Sequence, residues 1–271
     1  MPEFPSNFQS RLLSWVKVSQ PQNTVLNQAI HYALAGAGKH LRPRFVYESG
    51  ALVSLPETVL EPVAFALEMV HGFSLVHDDL PCLDNDDFRR GAPTTHKKFG
   101  EAQGLLAGDA LLAFAFETFA HAAPSVNPSA YQNAFLFFCK SIGSKGMIGG
   151  QSLEVELKEP TTQQFLHIQS LKTTALFRAS ILIPLLLAGK NEADPLYQNC
   201  LHYADAFGFA FQIADDLEDE IQDAAQKNKN ILSLYGREVA IKMAHEGLSQ
   251  APISSSFSAT ALLIQTLASK R

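Results

Sequence analysis

The sequence predicts an all-α protein, because long segments repeat apolar residues at helical spacing and strand-like alternation is scarce. Short breakers rich in proline, glycine or polar residues separate these segments, and none is long enough to be an interdomain linker. We therefore predict that residues 1–271 form one domain, a bundle of about ten helices. The clearest helical segments are Val63 to Leu80, Gly104 to His121, Tyr131 to Gly143, Thr162 to Leu187 and Leu196 to Asp219.

The composition narrows the classes of function. The 271 residues are 46% hydrophobic, enough to bury a large core, and the formal net charge is −6. That charge disfavours nonspecific attraction to nucleic acid or anionic lipid. If the ligand is an anion, the basic residues that bind it must be concentrated locally.

Cysteine usage and hydropathy bear on location. Cys82, Cys139 and Cys200 are odd in number and widely spaced, which fits neither a disulfide framework nor a zinc cluster and indicates a reducing cytoplasm. The N-terminal residues show no secretory signal. The most apolar run, Ile181 to Gly189, contains Pro184 and is shorter than the roughly 20 residues that span a bilayer. We expect a cytoplasmic protein without a transmembrane segment.

An acidic cluster follows the first long apolar helix. Residues 78–87 contain five aspartates, beginning with Asp78 and Asp79. Carboxylates at the end of a buried helix repel one another and the negative end of the helix dipole, so cations must neutralise them. A hard divalent ion that prefers oxygen ligands would do so. Taken alone, an acidic run is more often a solvated loop.

A second cluster favours the metal interpretation. The apolar helix that ends at Ala214 leads into Asp215, Asp216 and Asp219. Asp215 and Asp219 share one helix face, whereas Asp216 lies about 100° round the helix. Two such clusters on facing helices would form one magnesium cage for a diphosphate, with waters and phosphate oxygens completing the coordination.

Basic residues supply the other half of an anion site. Lys39 and Arg42 are predicted to share a first helical turn, and Arg89 and Arg90 follow the first acidic cluster. A guanidinium matches the geometry of phosphate oxygens, and a lysine ammonium acts as a compact charge. Alone, Lys39 and Arg42 would be surface residues that aid solubility. Beside two acidic clusters, phosphate binding is the preferred interpretation.

The ordered motifs resemble those of the polyprenyl synthetase family, specifically its bacterial farnesyl diphosphate synthases. The resemblance runs from about Gly36 to Asp219 and returns weakly near the C-terminus. It rests on D-D-x-x-x-x-D at residues 78–84, Arg89-Arg90-Gly91 after it, and D-D-x-x-D at residues 215–219. Between them, in the family's order, lie Gly108-Asp109, Gly149-Gly150-Gln151, Lys172-Thr173 and Phe211-Gln212.

The resemblance implies an isoprenoid synthase-like bundle around a central cavity and a homodimeric transferase. Its reaction would be the condensation of isopentenyl diphosphate with dimethylallyl or geranyl diphosphate to (2E,6E)-farnesyl diphosphate. Three Mg²⁺ ions per active site are implied, with Asp78, Asp79, Asp84, Asp215 and Asp219 as ligands. Asp78, Asp79, Asp84, Arg89, Lys172 and Asp215 are the implied catalytic residues.

Two substrate sites follow from the same resemblance. The allylic diphosphate would contact Arg89, Lys172, Thr173 and Gln212. Isopentenyl diphosphate would bind in a separate basic pocket made by Lys39, Arg42, His71 and Arg90. His71 lies seven residues before Asp78, or two helical turns, which places it near the same face; a core-facing histidine is the alternative.

Phe73 is predicted to control product length. It lies five residues before Asp78, about 7.5 Å along the helix at ~1.5 Å per residue, where the growing hydrocarbon would extend. The family's farnesyl-producing bacterial members have an aromatic residue here. The next residue, Ser74, is too small to block the chain. The alternative is that Phe73 is an ordinary core residue.

The sequence departs from the family pattern in two places. The loop after Asp219 is shorter than usual by about a dozen residues, so either Lys227 or Lys229 would supply the missing lysine charge. Ala37 and His40 replace the usual glycine and arginine around Lys39.

Three other functions share some of these motifs. A geranyl or geranylgeranyl diphosphate synthase would share all of them. A class I terpene cyclase would not need a second diphosphate pocket at Lys39, Arg42 and Arg90. A non-catalytic subunit of a heteromeric synthase would be expected to lose an aspartate motif, and both motifs are complete here.

Overall fold

A computed structural model describes residues 3–19, 23–36, 38–218 and 230–269. These residues are predominantly helical, and the only strands among them form one short hairpin. The predicted all-α class is therefore confirmed. The chain divides into two compact units, one made of residues 1–47 and 54–126 and the other of residues 48–53 and 127–271. That all 271 residues act as one domain remains a prediction.

The first unit contains six helices and the hairpin within its described residues. Their bounds are α1 Phe8–Ser19, α2 Val25–Ala35, α3 Leu41–Leu52 as far as Tyr47, α4 Glu57–Asp78, β1 Phe88–Arg89, β2 Ala92–Pro93, α5 Thr95–Phe99 and α6 Glu101–Ala120. Its core is the contact of α4 with α6. Fully buried residues such as Phe65 and Phe119 each contribute roughly 1.5–3 kcal/mol through burial.

The described helices of the second unit are α7 Pro128–Ile142, α8 Met147–Glu156, α9 Thr162–Gln169, α10 Ala175–Leu187, α11 Pro195–Glu218, α12 Ile231–Tyr235, α13 Arg237–Gln250 and α14 Ser258–Ser269. The unit is built around α10 and α11, which pack against each other. Helix α7 packs on α10, and α13 packs on α11.

A π-helical turn, Ser170–Thr174, joins α9 to α10, so residues 162–187 form one helical run. Two glycines allow neighbouring helices to approach this turn closely. A Cβ atom on Gly150 of α8 would lie 2.4 Å from the backbone nitrogen of Lys172, and one on Gly208 of α11 would lie 2.5 Å from Thr174 Oγ1. Any larger residue at either position would therefore force the turn away from its neighbours.

The predicted helix bounds are largely confirmed, with two corrections. Helix α4 begins at Glu57 rather than Val63, because it continues through Pro62, which is buried inside it. Lys39 and Arg42 do not share a helical turn. His40 has a φ of +45°, outside the right-handed helical region, so α3 begins after it at Leu41 and Lys39 precedes the helix.

Among the described residues, three helical runs are long and apolar enough, by length and composition alone, to cross a membrane. They are Glu57–Asp78, Glu101–Ser125 and Thr162–Leu187. In the first and third, 72% of the most apolar window is buried inside the structure, and in the second the share is 44%. Burial against neighbouring helices accounts for the apolar composition of the first and third runs. The expectation that the chain has no transmembrane segment stays a prediction.

Candidate functional site

The first aspartate motif is a loop that folds back onto the end of α4. Asp78 is the last residue of the helix, and the backbone N–H of Asp84 donates to the Asp78 carbonyl at 2.9 Å. Asn85, whose φ is +55°, donates to the Leu80 carbonyl at 3.1 Å. The sequence between the two aspartates thus closes a tight loop that brings Asp78 and Asp84 together. Asp84 is exposed and Asp78 is half-buried.

Asp79 differs from its neighbour because its side chain is only 4% exposed. The Nε and Nη2 atoms of Arg89 both approach its Oδ1 atom, at 2.7 and 2.6 Å. Burial raises the pKa of Asp79, and the Arg89 guanidinium opposes that rise. Farther along the motif, Asp87 forms an ion pair with Lys97 at 2.7 Å. Much of the acidic charge in this cluster is therefore balanced locally by arginine and lysine.

The hairpin after the motif separates Arg89 from Arg90. Its two strands pair Arg89 with Ala92, and the turn residues Arg90 and Gly91 have φ values of +52° and +78°. Positive φ at both central residues is the pattern of a type I′ turn. Arg89 lies in the strand and contacts Asp79, whereas the Arg90 guanidinium lies against Gly38, where an added Cβ would be 3.1 Å from Nη1. The two adjacent arginines thus contact different parts of the unit.

Arg90 shares its surroundings with Arg42 and His71. Burial, followed by the charges of Arg42 and Arg90, lowers the pKa of His71 well below its ordinary value, so its imidazole is neutral at neutral pH. A neutral imidazole can donate or accept a hydrogen bond beside an anion without adding charge. Lys39, predicted for the same group, is exposed and lies one residue from Gly38, which Arg90 contacts.

Phe73 is buried on α4, with 6% of its surface exposed. Its ring lies against the ring of His77 with 5.0 Å between centroids, and His77 Nε2 lies 3.0 Å from the Leu105 carbonyl oxygen of α6. Ser74 donates its hydroxyl hydrogen bond to the His71 carbonyl at 2.9 Å. Phe73 therefore sits five residues, or about 1.4 helical turns, before the end of α4, against His77, which itself contacts α6.

Lys172 lies in the π-turn of the second unit and forms an ion pair with Glu154 of α8. Sequence analysis missed this partner, although Glu154 lies only three residues after the Gly149-Gly150-Gln151 landmark. It also missed Glu68, whose Oε1 lies 2.8 Å from Nδ1 of His40. Thr173, the residue after Lys172, donates to Gln212 Oε1 of α11 at 3.3 Å.

In the second aspartate motif, as in the first, the leading aspartate is more exposed than the aspartate that follows it. Asp215 is exposed near the end of α11, whereas Asp216 is 5% exposed. Gln212 Nε2 donates to Asp216 Oδ1 at 2.8 Å, and the backbone N–H of Ile231 donates to Oδ2 at 2.7 Å. Four residues in the sequence predictions lie outside the described part of the chain: Ala37, Asp219, Lys227 and Lys229.

Within each unit, the structure brings several predicted residues together. Asp78 adjoins Asp84, Asp79 pairs with Arg89, the charges of Arg42 and Arg90 act on His71, and Thr173 bonds to Gln212. In the described ranges, no group of three or more His, Cys, Asp or Glu side chains is arranged to hold a metal ion unaided. The predicted roles in catalysis and binding stay predictions.

Comparison with known proteins places these motifs in a family. A model of polyprenyl synthetases matches residues 23–233, which include both aspartate motifs. The chain belongs to the polyprenyl synthetase family. Within that family, the farnesyl diphosphate synthase of Escherichia coli is 38% identical over 213 residues, which are 77% of this chain and 70% of the relative.

Other members of the polyprenyl synthetase family carry different names. The chloroplastic geranylgeranyl pyrophosphate synthase of Capsicum annuum is 36% identical over 210 residues, 76% of this chain. The match spans 56% of that relative's length. Among solved structures, an FPP/GFPP synthase from Zymomonas mobilis has a TM-score of 0.82 and 32% identity, covering 97% of this chain and 95% of its own. This likeness confirms the isoprenoid synthase-type fold.

Proposed function

We propose that the chain is a prenyltransferase that condenses isopentenyl diphosphate with an allylic diphosphate. Family membership supports this proposal. The structural observation that supports it further is that the adjacent residues Arg89 and Arg90 contact different parts of the first unit. A reaction between two diphosphates needs two anion pockets with separate cations. Arg89 is paired with Asp79 of the first aspartate motif, whereas Arg90 lies against Gly38 and its charge acts on His71 more strongly than that of Arg89. A terpene cyclase, which takes one diphosphate, would not need the second group.

The residues present fit a magnesium-dependent reaction. Asp78 and Asp84 present carboxylate oxygens from one tight loop, and Asp215 presents one from an exposed helix position. Mg²⁺ typically takes one or two carboxylates and completes its shell with waters and phosphate oxygens. We propose that Asp78, Asp84 and Asp215 hold Mg²⁺ against the allylic diphosphate, with three ions per active site. Of the other two predicted ligands, Asp79 is paired with Arg89, and Asp219 lies outside the described residues. When bound, Mg²⁺ stabilises the negative charge on the leaving diphosphate.

The side chains have distinct parts in this chemistry. Arg89 and Lys172 would bind the allylic diphosphate and stabilise the charge that grows as the allylic C–O bond breaks. Arg42, His71 and Arg90 would hold isopentenyl diphosphate so that its double bond attacks the allylic carbocation at short range. A proton is then lost from the new chain to the departing diphosphate. For Lys172, binding requires that its ammonium exchange the Glu154 carboxylate for a diphosphate oxygen.

We propose farnesyl diphosphate as the main product. Relatives are named both farnesyl and geranylgeranyl synthases, so their names do not decide the length. The position of Phe73 supports the shorter product. Its buried ring lies below the aspartate end of α4 and is braced by His77. A geranylgeranyl product is the second candidate, and it would require a path past this ring.

We further propose a homodimer in a reducing cytoplasm. Helix α6 supports the dimer, because two of its large apolar side chains, Leu105 and Leu106, are each 48% exposed. A second copy that covers this face would bury them. All three cysteines are free, which agrees with a reducing compartment.

Sedimentation velocity at micromolar concentration should show a dimer, and substitution of Leu106 by lysine should shift it to monomer. A wild-type monomer would contradict the proposal.

Substitution of either metal-binding aspartate should abolish turnover. With Mg²⁺, isopentenyl diphosphate and geranyl diphosphate, Asp78→Ala and Asp215→Ala should each lower kcat by more than about tenfold, or ~1.4 kcal/mol of transition-state stabilisation. Asp205→Ala is the matched control, because it removes a carboxylate from the same helix as Asp215, about 15 Å away at ~1.5 Å per residue. Circular dichroism would check the fold of each variant. Retention of more than a tenth of kcat by either test variant would contradict the magnesium assignment.

The adjacent arginines should affect different substrates. Arg90→Ala removes a cation from the group around His71 and should mainly raise KM for isopentenyl diphosphate, as should Lys39→Ala. Arg89→Ala removes the partner of Asp79 and should mainly impair use of the allylic substrate. Steady-state kinetics with each substrate varied in turn would measure the split. Equal effects of both arginine variants on both substrates would remove the two-pocket assignment.

Removal of the Phe73 ring should lengthen the product. The wild-type chain should stop at C15, since forcing extra methylenes into a filled pocket typically costs ~1–3 kcal/mol. Phe73→Ala should shift the product toward C20, as measured by chromatography of the dephosphorylated products. Phe65→Ala, a truncation of a buried ring on the same helix, is the control and should keep C15. A wild-type C20 product, or a Phe73→Ala variant that stops at C15, would point to another wall, with Leu111 to Phe119 of α6 the next candidate.

A further inference from the structure

Asp216 belongs to the second aspartate motif, but its side chain is buried, unlike that of an exposed metal ligand. It is 5% exposed, and each of its carboxylate oxygens already accepts a hydrogen bond from a nitrogen donor. Mg²⁺ requires near-ideal octahedral coordination and keeps several of its waters. A carboxylate that binds it therefore needs an accessible oxygen with space for those waters. Asp215, one residue earlier and about 100° round the helix, has that exposure.

One of the two bonds holds the start of α12. Ile231 is the first residue of that helix and is 1% exposed, so its backbone N–H has neither a partner within the helix nor access to water. Asp216 Oδ2 accepts from it at 2.7 Å. Asn230, the residue before it, forms a reciprocal capping box with Ser233. Without the carboxylate, a buried donor would lose its acceptor, and the cost of removing that N–H from water would be uncompensated.

The other bond orients Gln212 toward the π-turn. Because Gln212 Nε2 donates to Asp216, its Oε1 faces Thr173 and accepts from that hydroxyl at 3.3 Å. Gln169 Oε1 lies 3.4 Å from the same hydroxyl and shares its one hydrogen. Thr173 follows Lys172, and the close approach at Gly208 keeps this turn against α11. A single buried carboxylate thus connects α12, α11 and the turn that carries Lys172.

We propose that Asp216 is a positioning residue: its carboxylate fixes the N-terminus of α12 and sets the amide of Gln212 that holds Thr173 beside Lys172. The catalytic part of this assignment rests on the proposed prenyltransferase function. The structural part, the anchoring of Ile231, does not. The two adjacent aspartates of the motif therefore differ in kind, one contributing charge to the reaction and the other contributing two hydrogen-bond acceptors to the fold.

Replacement of each aspartate by asparagine separates these roles, because both changes remove one charge at nearly constant volume. In Asp216→Asn, Oδ1 can still accept from Ile231, while Nδ2 donates to a flipped Gln212 whose own Nε2 then donates to Thr173. We expect D216N to retain more than about a third of wild-type kcat and D215N less than about a tenth. Asp216→Ala, which offers no acceptor, should lose activity that D216N retains. A loss in D216N as large as that in D215N would overturn the proposal.

A measurement without substrate tests the anchor independently of activity. Amide hydrogen exchange of Ile231 should be at least about tenfold faster in D216A than in wild type, and unchanged in D215A and D216N. Should D216A fail to fold, Asp216→Ser serves in its place. Equal exchange of Ile231 in wild type and D216A would overturn the proposal. If the wild-type chain has no prenyltransferase activity, the proposed function fails, and the exchange result still decides whether Asp216 anchors α12.

Discussion

Burial of the second carboxylate in each aspartate pair is the constraint on which both motifs depend. A carboxylate removed from water costs several kcal/mol unless charges or hydrogen bonds compensate it. Asp79 is compensated by the Arg89 guanidinium, and Asp216 by Gln212 and the Ile231 backbone. Each compensation ties a neighbouring element to the helix end: the β-hairpin in one case and α12 in the other. The first aspartate of each pair is left closer to solvent.

Glycines determine how closely the supporting helices can approach. Gly108 of α6 faces His77, where an added Cβ would lie 2.1 Å from Nε2, and His77 in turn braces Phe73. Gly150 and Gly208 have the same function around the π-turn of the second unit. The Gly108-Asp109 and Gly149-Gly150-Gln151 landmarks therefore have a packing explanation in this chain. The side chains predicted to bind or react are therefore packed against glycines, which let the neighbouring helices approach.

Sequence analysis predicted the helices well where apolar periodicity is long, as in Thr162 to Leu187 and Leu196 to Asp219. It did not predict the π-turn inside the first of these runs, because one extra residue in a turn leaves the hydrophobic pattern almost unchanged. The hairpin at Arg90 was also missed, since strands of two residues carry no alternation. Motif residues could be named from their order, but their partners Glu154 and Glu68 could not, because ion pairing across distant segments leaves no local signal.

The π-turn has a consequence for how this chain can vary in length. Its wider turn sets the angular offset between the faces of α9 and those of α10, whose core includes Leu176, Phe177 and Leu182. Deleting one residue from 170–174 would convert this turn to ordinary α-helical winding while the following side chains of α10 keep their faces, because the wider turn is what holds the extra residue. A deletion within α10 itself would instead rotate every following side chain by about 100° and turn buried leucines away from the core. The chain should therefore accept a single-residue deletion far more readily in residues 170–174 than in α10.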